Sequence, residues 1–177
     1  FRVMHDSPEQ GIAALEYVLE YLVPVKGIRK IAILSENAVW TQEIIDLWQT
    51  AIAQHPDAEL VATELFDVQT TDYNPNFQRI MNAGAELIME ISSNVDAAGY
   101  TKQWADLQAP PMGGVSASAM SSRIWNDTGG RVAYEWTVNF GYRVPFTEKT
   151  LAWYDRYVET YGVTPDYTTG YTYDPFF

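Results

Sequence analysis

The sequence contains no cysteine, which excludes disulfides, thiolate metal sites and cysteine nucleophiles while leaving the redox compartment open. Histidine is nearly as scarce: His5 and His55 stand alone, neither within metal-ligand spacing of another ligand. Cations are few. Eleven Lys+Arg face 23 Asp+Glu, a net charge of −12 that repels a phosphate backbone and an anionic bilayer alike. Nucleic acid is therefore not expected as a partner, nor is a membrane surface. No apolar run approaches the roughly 18 residues that a membrane span needs, so direct membrane insertion within this chain is not expected. Also missing are a Gly-x-Ser-x-Gly elbow and a Gly-rich phosphate loop after a strand; Gly113-Gly114 is too short for a dinucleotide fingerprint. The acidic residues are scattered and nominate no carboxylate pair. No catalytic residue, metal or cofactor is expected. The Asn126-Asp127-Thr128 sequon is a tripeptide too common by chance to carry weight.

What is present is a composition that folds. At 47% hydrophobic and 19% charged residues the chain can bury a sizeable core, and its 177 residues make room for one domain plus a fragment of another. It opens at Phe1-Arg2-Val3 without a leader and stops on the aromatic Tyr173-Asp174-Pro175-Phe176-Phe177, the pattern expected of a piece of something longer.

Hydrophobic periodicity supplies the architecture. Ser7-Pro8-Glu9-Gln10 predicts a capped helix start, with Ser7 as the cap and Gln10 closing the capping box. Ile12, Leu15, Val18, Leu19 and Leu22 follow at helical spacing, and Pro24 is expected to end the helix before Gly27. Lys30–Ser35 has the β-branched, apolar character of a strand buried on both faces. The alternation then repeats. Helices are expected near 40–54, 74–83, 96–107 and 120–128, and strands near 59–66, 86–91, 112–116 and 131–140. Strands alternating with helices imply βαβ crossovers and a parallel sheet, so the fold class is α/β, doubly wound. After Gly141 and Pro145 the register changes and a last helix runs over about 148–161, closed by Gly162 and Pro165.

In such a sheet a ligand sits outside the carboxyl ends of the strands. That rule selects Ser35 to Trp40 after the first strand, Ser92, Ser93 and Asn94 after the third, and Ser116, Ala117 and Ser118 after the fourth. Asn37 and Trp40 join the hydroxyls and amide of Ser92, Ser93, Asn94 and Ser116 as candidates for a small-molecule pocket: polar pins with one aromatic platform. The same residues also suit helix capping, and Trp40 also suits a core anchor. Glu90, inside the apolar Leu87-Ile88-Met89 run, fits a ligand's cation, a buried ion pair or exposure at the strand end.

Several segments together resemble the type I periplasmic binding proteins, in particular the branched-chain amino-acid-type substrate-binding components of ABC importers. Phe1-Arg2 with the Ser7–Gln10 helix is similar to the family's passage into its second lobe. Lys30-Ile31-Ala32-Ile33-Leu34 followed by Glu36-Asn37-Ala38-Val39-Trp40-Thr41 resembles its strand and acidic-x-x-Tyr-Gly turn, with Trp40 in the Tyr place and Thr41 in the Gly place. Thr71-Asp72-Tyr73 with Phe77, Ile80 and Gly84 resembles its Thr-Asp-Phe segment. Tyr154, Tyr157, Tyr161-Gly162, Pro165 and Tyr173-Asp174 follow its late Tyr-rich pattern.

The resemblance implies two flavodoxin-like or Rossmann-like lobes closing on a small ligand through hinge strands. Residues 1–140 would be lobe two, entered through a hinge strand, and 141–177 a returning segment of an incomplete lobe one. By position the family's ligand contacts fall on Trp40, on Ser93 with Asn94, and on Val115 with Ser116. Where the family has an acidic residue, Val115 cannot hold an α-ammonium, which turns the expectation from an ordinary amino acid toward an aromatic, amide or carboxylate ligand. The implied protein is non-catalytic and extracytoplasmic, delivers its ligand to an ABC permease, and is open to lipid anchoring through a preceding segment. The alternatives are a ligand-sensing domain of a signalling receptor and a small flavodoxin-like domain complete in itself. Exposed aromatics near 167–177 argue against the last of these.

Overall fold

The computed structural model describes residues 6–93, 96–117, 119–121, 123–139, 141–166 and 168–170. Helix α1 (Ser7–Glu16) starts one residue earlier than the sequence suggests: Asp6 is the N-cap. The Asp6 carboxylate accepts from the Glu9 N–H at 3.1 Å, and the Glu9 carboxylate accepts from the Asp6 N–H at 3.1 Å. Ser7 is thereby the first helical residue, with Pro8 behind it in the first turn, where its missing N–H costs nothing.

Pro24 does not end this helix. The chain passes through a π-helical segment, Tyr17–Leu22, into α2 (Val23–Lys26), and the Val23 N–H donates to Val18 O, five residues back. This wider turn gives room where the proline ring would otherwise meet the preceding turn. The helix stops instead at Gly27, whose φ of 72° is the left-handed cap conformation that glycine adopts at least cost.

Strands β1 (Lys30–Glu36), β2 (Glu59–Phe66), β3 (Leu87–Ser92), β4 (Met112–Ser116) and β5 (Glu135–Thr137) form one sheet in the order β2-β1-β3-β4-β5. Every pairing in it is parallel. Helices α3 (Val39–Gln54), α4 (Asn74–Asn82) and α5 (Ala97–Asp106) provide the crossovers. The order reverses between β1 and β3, the topological switch point of a doubly wound sheet.

Strand parity sorts the core into two layers. Ile31, Ile33, Leu87, Met89, Ile91 and Val115 pack against Ala14, Val18, Ile44, Trp48 and Ile52 of the α1 and α3 side. Ala32, Leu34, Ile88 and Met112 pack on the other face against Phe77, Ile80, Tyr100 and Trp104 of the α4 and α5 side. Trp48 is fully buried and donates its indole N–H to Gly11 O at 2.8 Å, tying α3 to α1.

Two expectations for the later chain are corrected. Helix α6 spans only Ile124–Thr128, and β5 only three residues in place of a strand over 131–140. The Arg131–Tyr134 stretch is used by turns: the Ala133 N–H bonds Gly130 O, the Glu135 N–H bonds Val132 O, and Tyr134 takes φ 73°. Phe140 lies outside the described residues. Helix α7 (Glu148–Tyr161) matches its expected bounds and contains no buried residue.

Candidate functional site

The carboxyl edge at the switch point is organised by Glu36, the last residue of β1. Its side chain is fully buried, a position that demands donors for both carboxylate oxygens. They come from two neighbouring tips. The Trp40 indole N–H donates to Oε1 at 2.7 Å, the Ser93 hydroxyl donates to Oε1 at 2.8 Å, and the Ser93 backbone N–H donates to Oε2 at 2.9 Å. Glu36 and Ser93 are 57 residues apart in sequence and meet because β1 and β3 pair in parallel register up to Ser35↔Ile91.

The start of α3 is fixed by the same turn. Its N-cap position is Ala38, which offers no side-chain acceptor, and the Thr41 hydroxyl lies at 2.8 Å from Ala38 O and 3.0 Å from Glu36 O. Thr41 in the Gly place of the resemblance thus ties the turn to the end of β1. Trp40, in the first turn, is half-buried and packs against the α1 and α3 core layer.

The sequence-selected residues divide into three groups. Asn37 is exposed, and its backbone N–H bonds Phe66 O at 2.7 Å, joining the β1 and β2 tips. Trp40 and Ser93 are brought together through Glu36 and keep part of their surface open. Ser92 and Ser116 are also brought together, their hydroxyls 3.3 Å apart across β3 and β4, but at 1% and 2% exposure they lie beneath the edge. Val115 lies elsewhere: it is 2% exposed and packed with Ile91 and Met89 in the core layer. Strand parity puts Val115 and Ser116 on opposite faces, so the Val115 side chain packs the core and does not line the tip. Asn94 and Ser118 lie outside the described residues.

Glu90 corrects the sequence reading in another way. It has no exposure at the strand end, and among the described residues it has no ion pair. It sits on the α5 face of the sheet with Glu135, Tyr100 and Ser92 around it, and the Ser92 hydroxyl reaches its Oε2 at 3.4 Å. Burial first and the neighbouring Glu135 second push the Glu90 carboxyl well above the usual carboxylate range. Glu135 is raised as well, chiefly by burial, and accepts the Thr101 hydroxyl at 3.0 Å. Burial, then Glu90, pushes the Tyr100 phenol up. Oε1 of Glu90 and the hydroxyls of Tyr100 and Tyr73 have no hydrogen-bond partner among the described residues.

In the sequence Glu36 is legible as a polar residue at a strand end and as the start of the Glu36–Thr41 turn that carries part of the resemblance, and neither reveals its burial. The spacing of Glu36 and Trp40 across a strand–helix turn is the one local signal for their bond; the Ser93 half depends on tertiary pairing. Among the described residues no group of three or more His, Asp and Glu is placed to hold a metal ion, and no helix is long and apolar enough to cross a membrane. The edge offers an aromatic platform and hydroxyls set around a buried carboxylate.

A sequence-family model described as "Periplasmic binding protein" matches residues 3–175. The chain belongs to the periplasmic binding protein family. Its fold is that of the type I members. A solute-binding protein of an ABC transporter from R. palustris, solved with benzoate, superposes with a TM-score of 0.81 at 13% identity over 99% of this chain and 47% of that one. A putative branched-chain amino acid ABC transporter protein from Rhodospirillum rubrum gives 0.77 at 16% identity over 98% and 49%. The branched-chain amino acid transporter substrate-binding protein LivJ from Streptococcus pneumoniae, solved with isoleucine, gives 0.74 at 15% identity over 92% and 46%. This periplasmic binding protein chain therefore spans about half the length of these structures. No curated protein matches it significantly.

Proposed function

We propose that this chain is the larger part of one lobe of an extracytoplasmic solute-binding protein, which captures a small organic ligand by hinge closure and presents it to an ABC permease. Residues 1–140 make up lobe two, and residues 141–177 belong to the returning part of lobe one. The observation that carries the reading is the Glu36–Trp40–Ser93 assembly at the switch point between β1 and β3, where a doubly wound sheet places its ligand. Its role is binding, not catalysis. A ligand bridging two lobes favours the closed state only through its differential affinity for it.

The half-buried indole of Trp40 supports a ligand with a flat ring, and the amide of Asn37 and the hydroxyl of Ser93, with Ser92 and Ser116 buried behind them, support a polar substituent on it. Aromatic carboxylates and amides fit this edge better than an ordinary amino acid, since Glu36 is fully buried and already accepts from Trp40 and Ser93 while Glu90 is buried under α5, so neither carboxylate is presented to an α-ammonium. Benzoate in the R. palustris neighbour is a ligand of that kind.

Calorimetry on the complete protein tests this with benzoate, 4-hydroxybenzoate and isoleucine. Micromolar binding of an aromatic acid is expected. Residues 1–177 alone, holding one jaw, are expected to bind at least a hundredfold more weakly. Equal affinity of this segment and the complete protein would contradict the half-site.

A further inference from the structure

We infer that Glu36 is a positioning residue which locks the Trp40 indole in one plane, so that this half-site recognises a flat aromatic ring by the face of a fixed platform. The inference rests on the reading of the strand tips as a ligand site and adds to it the residue that sets the ring selectivity.

A carboxylate with no solvent exposure at the rim of a sheet is costly unless its surroundings donate to it. Here three donors from Trp40 and Ser93 do so, two from side chains and one from the backbone. The indole contact is the shortest of them at 2.7 Å, in the range of a charge-assisted bond. An indole turns about only two side-chain torsions. Holding its Nε1 end on Glu36 while its body rests on the core layer leaves the ring one orientation.

Two consequences follow for a ligand. The indole's sole donor is already engaged, so the ring meets a ligand by its π surface, not by a hydrogen bond. The platform is also ordered before the ligand arrives, which removes the entropy cost that a loose side chain imposes on binding. Glu36 also accepts from Ser93 at the tip of β3, whose place is already set by the β1–β3 pairing. Stapling β1 to β3 would not by itself require Trp40: the two strands are already paired from Ile31↔Leu87 to Ser35↔Ile91, and the Ser93 bonds suffice at the tip.

The test is a double-mutant cycle in the complete protein, read by calorimetry with benzoate and isoleucine. Glu36→Met keeps the volume and removes the acceptors; Trp40→Phe keeps a ring and removes the N–H. Each single substitution is expected to weaken benzoate about tenfold, and to lower the benzoate-to-isoleucine selectivity by a similar factor. Glu36→Met made on top of Trp40→Phe is expected to weaken benzoate less than about twofold further. The indole N–H resonance of Trp40 should move upfield in Glu36→Met.

Additive losses in the double variant, or wild-type benzoate affinity in Trp40→Phe, would overturn the positioning role while the ligand site stands. Trp40→Phe keeps the test decisive if Glu36→Met does not fold. A complete wild-type protein that binds neither probe would overturn the ligand-site reading itself.

Discussion

Replacing Glu90 by glutamine should stabilise the protein at neutral pH and flatten the dependence of its stability on pH. Glu90 is fully buried on the α5 face, its Oε1 has no hydrogen-bond partner among the described residues, and Glu135 stands beside it. A protonated carboxyl removes one negative charge and supplies a donor between the two side chains, so the folded state holds this proton to a higher pH than the unfolded chain does. The sign follows from linkage. A carboxyl with a raised folded-state pKa contributes stability that is present below the unfolded value, about 4.3, and is lost as pH rises through the folded value.

Each extra proton held by the folded state lowers the unfolding free energy by about 1.4 kcal/mol per pH unit across that window. The loss continues only until Glu90 has titrated in the folded state, and it is set by how far burial and Glu135 hold that carboxyl up. The amide of the Glu90→Gln variant mimics the protonated form: it donates toward Glu135 and carries no charge to desolvate. Urea unfolding of wild type and Glu90→Gln at intervals from pH 4.5 to pH 8, at constant m, reads the difference. Glu86 and Asp155, whose carboxyls are held low by the Arg29 and Lys30 backbone and by Arg143 respectively, are common to both proteins and act below pH 4.5. The two curves should meet near pH 4.5 and separate above it until Glu90 has titrated in the folded state, with the variant more stable. Parallel curves from pH 5 to pH 8, or a variant less stable at pH 7.5, would refute the reasoning.

Gly113 packs directly under Trp136 of β5, and a Cβ there would run into the Trp136 carbonyl and ring, so Gly113→Ala should cost about 1–3 kcal/mol by urea unfolding and loosen β5 in hydrogen exchange. Trp48→Ala should cost about 3–5 kcal/mol, since it empties the centre of the α1 and α3 layer and strands Gly11 O; a loss under about 1 kcal/mol would mean that α1 repacks freely. Asp6→Ala should cost about 1 kcal/mol through the lost capping box, whereas Ser7→Ala should be near neutral; the reverse order would restore Ser7 as the cap.

The parallel sheet is readable because β1, β2 and β4 are short apolar or β-branched runs set between helical periodicities, and their bounds need at most one residue of adjustment. Segment 131–140 misleads for a physical reason: Arg131-Val132-Ala133-Tyr134-Glu135-Trp136 alternates like a strand, but turn bonds and the left-handed Tyr134 use up its first half. Pro24 misleads because a π-helical turn is invisible to composition. At the site, polarity at the strand ends reveals Asn37, Trp40 and Ser93, while the Glu36–Ser93 bond requires knowing which strands are neighbours. Val115 can be placed from parity alone, since it shares a face with Ile91 and Met89 and faces away from Ser116.

The most direct measurement is a nitrogen–proton NMR titration of the complete protein with benzoate. The Trp40 indole and the Asn37 and Ser93 amides should show the largest shifts, with little change along α4 and α6. Saturable shifts confined to those helices, with the Trp40 indole unmoved, would contradict the account.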